Sequence, residues 1–252
     1  MTLSSLLEPP EPISADTHAR TADPTRHLRT QFLRRVAHDI ASPAGVIHMV
    51  LEQMETAERP RPDLVAMARR SLRKLTRISE NLALVAVLEA GALQPEREEI
   101  DLRALTQRAF DDALAVDPRR EVVAVCRLPA APVVVAGDPR LLLVIMREVI
   151  SNALKLATAR VLVTLSAADG LASLRVEDDG PGFSQDSASS LGARFVERST
   201  SHGLGLSLSM AVEIVRAHGG TLFVEASTLP PGRHSVAGAG VILTLPSSET
   251  PS

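Results

Sequence analysis

Two prolines set two positions apart divide the first third of this sequence into two helical patterns. Apolar residues recur at steps of three and four over 28–54 and again over 64–85, which is the spacing of one helix face. Pro60 and Pro62 lie between the two stretches, and an α-helix does not continue through prolines so placed. We therefore predict two antiparallel helices joined by a short loop, with Asp63 as the N-cap of the second helix.

The predicted hairpin occupies residues 27–95 and cannot bury its apolar faces alone. Two helices leave each apolar stripe half covered, so we expect two copies to associate as a dimeric four-helix bundle, which makes the protein a homodimer. The residues before the hairpin contain four prolines among Ser, Thr, Asp and Glu, with no apolar period. This composition predicts a disordered tail over 1–26.

After Pro95 the pattern changes to short apolar runs that alternate with helical stretches. Their arrangement predicts an α+β domain over residues 96–247, with helices packed on one face of a sheet in an α/β sandwich. Residues 248–252 are expected to form a short tail. The predicted strands are 122–128, 133–135, 161–166, 171–177, 222–226 and 241–245, and the predicted helices are 102–115, 141–156 and 204–217.

Composition argues against several classes of function. The net charge is −3, from 27 basic and 30 acidic residues, and the chain has no Trp and no Tyr. It therefore offers neither the positive field nor the aromatic platforms of a nucleic-acid binder. The single cysteine, Cys126, excludes an internal disulfide and a cysteine zinc cluster. No run reaches the roughly 18–20 apolar residues of a membrane span, and no signal-peptide pattern opens the sequence, so we expect a cytoplasmic protein.

His38 and Asp39, in the middle of the first helix, are candidates for nucleophilic chemistry. At 100° per residue, His38 lies about 200° from Val36 and from Ile40, which places it on the solvent side of the helix. A neutral imidazole is a nucleophile near pH 7, and Asp39 can hold one ring nitrogen or accept a proton while the other nitrogen attacks. The alternative interpretation is an exposed histidine on a helix that Pro43 is expected to kink.

Glu148, Asn152 and Lys155 share one face of the predicted helix 141–156, since they are four and three positions apart. An asparagine oxygen suits Mg²⁺, which binds hard oxygen ligands together with water and phosphates. A lysine one turn away supplies positive charge to the same phosphates. These residues predict a phosphate and metal site, with a solvated helix face as the alternative.

Two glycine-rich segments complete the set of candidate binding residues. Asp178 follows a predicted strand and precedes Gly180 and Gly182. Its carboxylate can accept a hydrogen bond from an exocyclic amine, while the glycines let a planar base approach the backbone. Gly203 and Gly205 stand at the start of a predicted helix, where closely spaced glycines can present free amides to phosphate. Each segment taken alone is also typical of an ordinary turn or a flexible loop.

Taken in order, these motifs resemble those of two-component sensor histidine kinases, which combine a HisKA-type phosphoacceptor hairpin with a GHKL-type ATPase domain. The resemblance covers residues 28–247. The matching segments are a phosphoacceptor box at 32–43, Gly-Asp-Pro-Arg-Leu at 137–141, an N box at 148–155, a first glycine box at 176–183, a second glycine box at 203–206 and His-Gly-Gly at 218–220.

The resemblance implies a GHKL (Bergerat) ATPase fold, shared with DNA gyrase and Hsp90, that uses ATP and Mg²⁺ as cofactors. Asp178 would bind the adenine amine, and Asn152 would hold Mg²⁺ against the phosphates. Leu204 and Leu206 would help to anchor a lid over the nucleotide. The rest of the ATP site would comprise Lys155, Gly180, Gly182, Gly203, Gly205 and Phe195, the last of which resembles a residue of the family's phenylalanine box.

The implied reaction passes the γ-phosphoryl group of ATP to His38, with Asp39 accepting the proton. The phosphohistidine would then phosphorylate an aspartate of a response-regulator receiver domain, and an upstream sensory protein would be a further partner. Most members of the family carry Asn four residues before the metal-binding Asn, where this chain has Glu148. The same spacing resembles the gyrase and Hsp90 branch, in which the glutamate activates a nucleophile, so Glu148 is a candidate second base.

Two alternatives stay open. The segment Ala-Ser-Pro-Ala-Gly at 41–45 also resembles a bacterial histidine phosphotransferase family that keeps the kinase shape without binding ATP. In that case His38 would only relay a phosphoryl group between receiver domains, although the intact nucleotide motifs favour the kinase. A nucleic-acid binder would use the arginines at 26, 29, 34 and 35, which are better interpreted as a solvated helix face.

Overall fold

The computed structural model describes residues 24–56, 59, 61–116, 121–183, 207–233 and 236–247. Most of the predicted N-terminal tail and all of the predicted C-terminal tail therefore lie outside the described residues. Residues 24–26 are an exception, because the first helix begins at Pro24, slightly earlier than predicted.

Two long helices form the N-terminal part of the structure. They are α1 (Pro24–Glu55) and α2 (Pro62–Glu89), and they pack against each other. Because the connection between them is short, the two helices form the predicted antiparallel hairpin. The first helix continues through Pro43, whose side chain is buried.

The start of α2 differs from the prediction that Asp63 is its N-cap. The N-cap is Arg61, and no side chain caps the first turn. The prediction is wrong because Pro62 occupies the first helical position, where a missing amide costs no hydrogen bond, so the helix starts before Asp63. Asp63 instead pairs with Arg61 at 2.8 Å. Gly91, with a φ of 63°, follows the last turn of α2, as glycine commonly does at a helix C-terminus.

The C-terminal part contains seven strands and three helices among the residues that the structure describes. The strands are β1 (Glu98–Asp101), β2 (Val123–Arg127), β3 (Val134–Gly137), β4 (Arg160–Ala168), β5 (Leu171–Asp178), β6 (Thr221–Ala226) and β7 (Ala239–Pro246). The helices are α3 (Leu102–Val116), α4 (Pro139–Leu156) and α5 (Ser207–Ala217).

Five of these strands form one sheet in the order β2-β4-β5-β7-β6. Strands β2 and β4 are parallel, and the other neighbours are antiparallel. The remaining strands, β1 and β3, pair as a separate antiparallel ribbon. Strand β1 was not predicted from the sequence, because it is mostly polar. It forms by pairing with β3.

The core lies between this sheet and the three helices, as the α/β sandwich prediction requires. Alternate residues of β4 face the helices, and Val161, Val163 and Leu165 are buried there. The central helix is α4, whose Leu142 and Ile150 are fully buried. The predicted α+β sandwich domain is confirmed, and two packed helices precede it. The dimeric four-helix bundle stays a prediction. The described part of the chain has no helix that is both long and apolar enough to cross a bilayer.

The C-terminal half of α2 packs onto the sandwich domain. Leu84 and Leu88 belong to the same buried cluster as the residues of α3 and α4. Arg77 and Asn81 are also buried, whereas Leu72 of the predicted apolar stripe is 58% exposed. The hairpin therefore contacts the domain through a face that is partly polar, and part of its apolar stripe stays exposed.

Candidate functional site

His38 lies on the exposed side of α1, as predicted, with a side chain that is 83% exposed. Its Nδ1 atom lies 3.5 Å from Oδ1 of Asp39. This contact turns Nδ1 toward the carboxylate and presents Nε2 to an incoming group. The exposed His48 on the same helix has the opposite arrangement, because its Nε2 lies 3.3 Å from Glu52. The two histidines therefore present different ring nitrogens.

The helix that carries the predicted phosphate site, α4, has a fixed start. Asp138 is its N-cap, and Oδ1 of Asp138 accepts the backbone N–H groups of Arg140 at 3.0 Å and Leu141 at 3.2 Å. Its Oδ2 accepts the N–H of Glu96 at 3.1 Å. Pro139 stands at the first helical position. The Gly-Asp-Pro-Arg-Leu segment is therefore a helix start that both carboxylate oxygens hold in place.

The three predicted residues of α4 are not equally accessible. Asn152 and Lys155 are partly buried, while Glu148 is only 6% exposed. Oε1 of Glu148 lies 3.1 Å from Nε of Arg77 on α2. The alternative of a solvated helix face is therefore wrong at Glu148, because the hairpin covers it. Its action as a base stays a prediction.

Asp178 ends β5 and is 4% exposed, which confirms its predicted place at a strand end. Its Oδ1 accepts the backbone N–H groups of Gly180 at 2.8 Å and Ala239 at 3.3 Å. Among the hydrogen bonds between described residues, none reaches Oδ2. Burial raises the pKa of Asp178 to about 6, although the two amide donors oppose the shift. A buried carboxylate with one oxygen left to accept suits an exocyclic amine.

Asp179 also organises this site, although the sequence motifs predicted no role for it. Its Oδ1 accepts three backbone N–H groups, from Thr158 at 2.8 Å, Ala159 at 2.9 Å and Arg160 at 3.0 Å. Burial opposes the charge, but the amide donors outweigh it and lower the pKa of Asp179. The carboxylate thereby fastens the turn after α4 to the end of β5. The signal was the second of two consecutive aspartates at a strand end, where side chains alternate in direction.

The two glycines after Asp178 are required by backbone contacts. A Cβ atom at Gly180 would lie 2.4 Å from the carbonyl oxygen of Leu156, and one at Gly182 would lie 2.5 Å from that of Ala237. Gly182 also has a φ of +72°, which other residues rarely adopt. The approach of a planar base to these glycines stays a prediction.

Five of the predicted ATP-site residues lie outside the described residues. The helix α5, which the sequence predicted over 204–217, is described from Ser207 onward. The lid and its contacts therefore stay predictions. The residues concerned are Phe195, Gly203, Leu204, Gly205 and Leu206.

A Mg²⁺ ion at this site would have few protein ligands. Across the described ranges, no three His, Cys, Asp or Glu side chains form a group that could hold a metal. A single amide oxygen from the partly buried Asn152 fits an ion that takes its other ligands from phosphates and water. The donor set thus fits magnesium bound together with a nucleotide.

The ATPase part of the chain matches a known family. Residues 137–249 match the histidine kinase-, DNA gyrase B- and HSP90-like ATPases. This segment contains α4, β5 and β7, the elements that position Asn152 and Asp178. The sandwich is therefore a GHKL-type ATPase domain.

Two curated relatives extend the match into the hairpin. The signal transduction histidine-protein kinase AfsQ2 of Streptomyces coelicolor is 30% identical over 244 residues, which is 88% of this chain and 42% of that protein. The probable sensor histidine kinase TcrY of Mycobacterium tuberculosis is 30% identical over 226 residues, with 85% and 46% covered. The chain spans less than half the length of these relatives. It belongs to the two-component sensor histidine kinases.

Solved structures agree with this assignment. A mycobacterial sensor histidine kinase, MprB, is 28% identical with a TM-score of 0.52, over 60% of this chain and 97% of that one. The full-length structure of ShkA in complex with AMPPNP has a TM-score of 0.59 over 88% of this chain and 47% of that one. At 22% identity, the second match shows the fold alone.

Proposed function

We propose that this chain is an ATP-dependent protein-histidine kinase that phosphorylates His38. The observation that carries the proposal is the geometry at His38, where Asp39 engages Nδ1 and Nε2 faces outward. The same chain contains a GHKL-type ATPase domain, in which a buried carboxylate at Asp178 suits an adenine amine. A phosphoryl donor site and an acceptor nucleophile are thus combined in one molecule.

In the proposed reaction, Nε2 of His38 attacks the γ-phosphorus of ATP as the bond to the β,γ-bridging oxygen breaks and ADP leaves. The positive charge that develops on the imidazole is relieved when Asp39 takes the proton from Nδ1. Positioning and charge neutralisation supply most of the rate in such transfers. Magnesium bound through Asn152 would supply positive charge at the phosphates, together with Lys155.

The proposed partners follow from the hairpin. An aspartate of a response-regulator receiver domain would accept the phosphoryl group from the exposed His38. A second copy of the chain would cover apolar side chains that a single hairpin leaves in solvent, including Leu33 at 63%, Leu51 at 54% and Leu72 at 58% exposure.

The relay protein is the second candidate function, and it requires His38 but no nucleotide. The raised pKa of Asp178 favours the kinase, because perturbed carboxyl groups cluster at binding and catalytic sites. Gly180 also keeps the close contact with Leu156 that places Asp178 beside the end of α4.

Autophosphorylation with γ-labelled ATP and Mg²⁺ tests the proposal. We expect acid-labile label on the wild type and none on His38→Ala or Asp178→Ala. His48→Ala is the matched control, because His48 is also exposed on α1 but turns Nε2 toward Glu52, and it should be labelled like the wild type.

Each other outcome points to a different function. If the wild type takes no label from ATP but accepts phosphoryl on His38 from a phosphorylated receiver domain, the chain is a relay protein. Label that persists in His38→Ala would show that another residue is the acceptor.

A further inference from the structure

A buried ion pair joins the hairpin to the helix that carries the predicted phosphate site. Nε of Arg77 on α2 lies 3.1 Å from Oε1 of Glu148 on α4, and each side chain is 8% exposed. Nη1 of Arg77 also donates to Oγ of Ser151 at 2.9 Å. One guanidinium therefore holds two positions of α4, one turn apart.

A second ion pair lies beside the first, and in it the cation is on α4 and the anion on α2. Nη2 of Arg147 on α4 lies 2.6 Å from Oε2 of Glu80 on α2. Each helix thus contributes one cation and one anion to the contact. We call these four residues and Ser151 the α2–α4 clamp. The alternating charges fix one register between the helices, because a shift would bring like charges together.

The α2–α4 clamp is incompletely satisfied, which suits a contact that opens. Within the described residues, two clamp atoms, Nε of Arg147 and Oε1 of Glu148, are buried without a hydrogen-bond partner, as is Oδ1 of Asn81, which follows Glu80 on α2. The Arg77 contact to Glu148 is therefore an ion pair and not a well-aligned hydrogen bond. Buried polar atoms without hydrogen bonds weaken an interface relative to its separated state, where water reaches them.

Glu148 lies one turn before Asn152 on the same face of α4. A carboxylate placed beside the phosphates of a bound nucleotide can take a proton from water. While Arg77 is paired with Glu148, the guanidinium balances the negative charge of the carboxylate, which faces α2. The same residue is thus either part of the α2–α4 clamp or available as a base, but not both.

We propose that Arg77 is a positioning residue that withholds Glu148 from the hydrolysis of bound ATP while α2 is docked on α4. In the reaction that it prevents, water bonds to the γ-phosphorus, Glu148 takes the water proton, and the bond to the β,γ-bridging oxygen breaks to give ADP and inorganic phosphate. The ion pair would thereby save ATP for transfer to His38. This inference rests on the proposed function, because it requires that the chain binds ATP.

Release of inorganic phosphate from Mg-ATP tests the inference in a His38→Ala background, where no phosphohistidine forms. Arg77→Met should raise phosphate release by about tenfold, which corresponds to about 1.4 kcal/mol of barrier. Adding Glu148→Gln to Arg77→Met should remove the increase. Arg77→Lys, which keeps the charge, should stay close to the parent protein. If the ion pair had only a structural role, adding Glu148→Gln to Arg77→Met would not change the release of phosphate.

Two further variants keep the test decisive. Arg73→Met is the matched control, since Arg73 of α2 also contacts the domain, through the carbonyl oxygen of Ala115 at 3.1 Å, but forms no ion pair with a carboxylate among the described residues. Phosphate release by Arg73→Met should equal that of the parent protein. If Arg77→Met does not fold, Ser151→Ala removes only the second contact of Arg77 and should give a smaller rise.

The outcomes separate this inference from the proposed function. Unchanged phosphate release in a folded Arg77→Met protein that still binds a fluorescent ATP analogue overturns the inference alone. A rise that persists after Glu148→Gln also overturns it. Failure of the wild type to bind the analogue overturns the inference together with the proposed kinase.

Discussion

The Nε2 atom of His218 accepts a hydrogen bond from the backbone N–H of Asp138 across 2.9 Å, while Nδ1 lies 2.7 Å from the carbonyl oxygen of Ile214. Because Nδ1 must donate to that carbonyl, the ring is the neutral Nδ1–H tautomer. His218 is 3% exposed and follows the last turn of α5. One imidazole thus connects two segments that are 80 residues apart in sequence, the start of α4 and the end of α5.

Replacing His218 should destabilise the ATPase domain. In His218→Ala the buried N–H of Asp138 loses its acceptor and a cavity forms, so we expect the free energy of unfolding to fall by about 2–4 kcal/mol. Urea denaturation followed by circular dichroism measures this difference. His48→Ala is the control and should change stability by less than about 0.5 kcal/mol, since its side chain is 77% exposed. Equal effects of the two substitutions would contradict the argument.

Three backbone N–H groups donate to the carboxylate of Asp179. Its contribution to stability should therefore depend on pH in the acid range. Asp179→Ala should lower the free energy of unfolding at pH 7 by about 3 kcal/mol, because three partly buried N–H donors lose a charged acceptor. The folded state lowers the pKa of Asp179. Its stabilisation is therefore full above the unfolded pKa of about 3.9 and is lost as pH falls through the lower folded pKa.

The measurement for Asp179 is urea unfolding of the wild type and Asp179→Ala between pH 7 and pH 3. The difference in the free energy of unfolding between the two proteins should become smaller as the pH approaches 3. Asp111→Ala, at an exposed position of α3, is the control and should show a small gap with little pH dependence. If the loss of stability caused by Asp179→Ala became larger at lower pH, it would contradict the prediction.

Gly180→Ala should disrupt the site because the added methyl meets backbone. Its Cβ would lie 2.4 Å from the carbonyl oxygen of Leu156 and 2.8 Å from Oδ1 of Asp178. We expect a loss of stability of about 2–4 kcal/mol and weaker ATP binding. Gly45→Ala is the matched control, since nothing lies within 4 Å of its Cβ. In the middle of α1 it should stabilise the hairpin by about 0.5–1 kcal/mol. Thermal melting and nucleotide titration compare the two variants.

The sequence predicts the parts of this structure that depend on local geometry. Helix periodicity places His38 on the exposed side of α1, and the end of a strand places Asp178 at the edge of the sheet. Both positions follow from the repeat of a single element. Neither position depends on what the helix or the strand packs against.

What the sequence does not predict depends on contacts between distant segments. Arg77 and Asn81 are buried because α2 docks on α4, and the apolar period of a helix does not indicate which polar residues are buried. Strand β1, which contains Glu98, forms through its register with β3. Asp179 accepts hydrogen bonds from backbone N–H groups about 20 positions earlier in the sequence. Each of these features needs a tertiary partner that periodicity does not identify.

The exposed apolar side chains of the hairpin predict a dimer. Leu72→Glu should weaken self-association, because a charge would be buried where a second copy covers a side chain that is 58% exposed in the single chain. Sedimentation equilibrium should then show a dimer for the wild type and a larger monomer fraction for the variant. Leu171→Glu, at a 48% exposed position of the sheet, is the control and should leave association unchanged. A monomeric wild type would contradict the prediction.

The affinity for ATP should fall as pH drops below 6, because Asp178 then becomes protonated. Its pKa lies near 6, and an ionised carboxylate accepts the adenine amine more strongly than a carboxylic acid does. If only the ionised form binds, affinity should be constant above about pH 7 and should fall about tenfold for each unit below 6. Titrations with a fluorescent ATP analogue between pH 5 and pH 8 measure this profile.

Asp178→Asn is the matched variant, because its amide does not titrate in this range. We expect it to bind the analogue about 10–100-fold more weakly at pH 8, since it loses a charge-assisted hydrogen bond of about 1.5–3 kcal/mol. Protonation of the nucleotide phosphates affects both proteins alike, so the ratio of the two affinities isolates Asp178. That ratio should shrink as pH falls through 6. A ratio that stays constant from pH 8 to pH 5 would show that Asp178 does not bind the base in its ionised form.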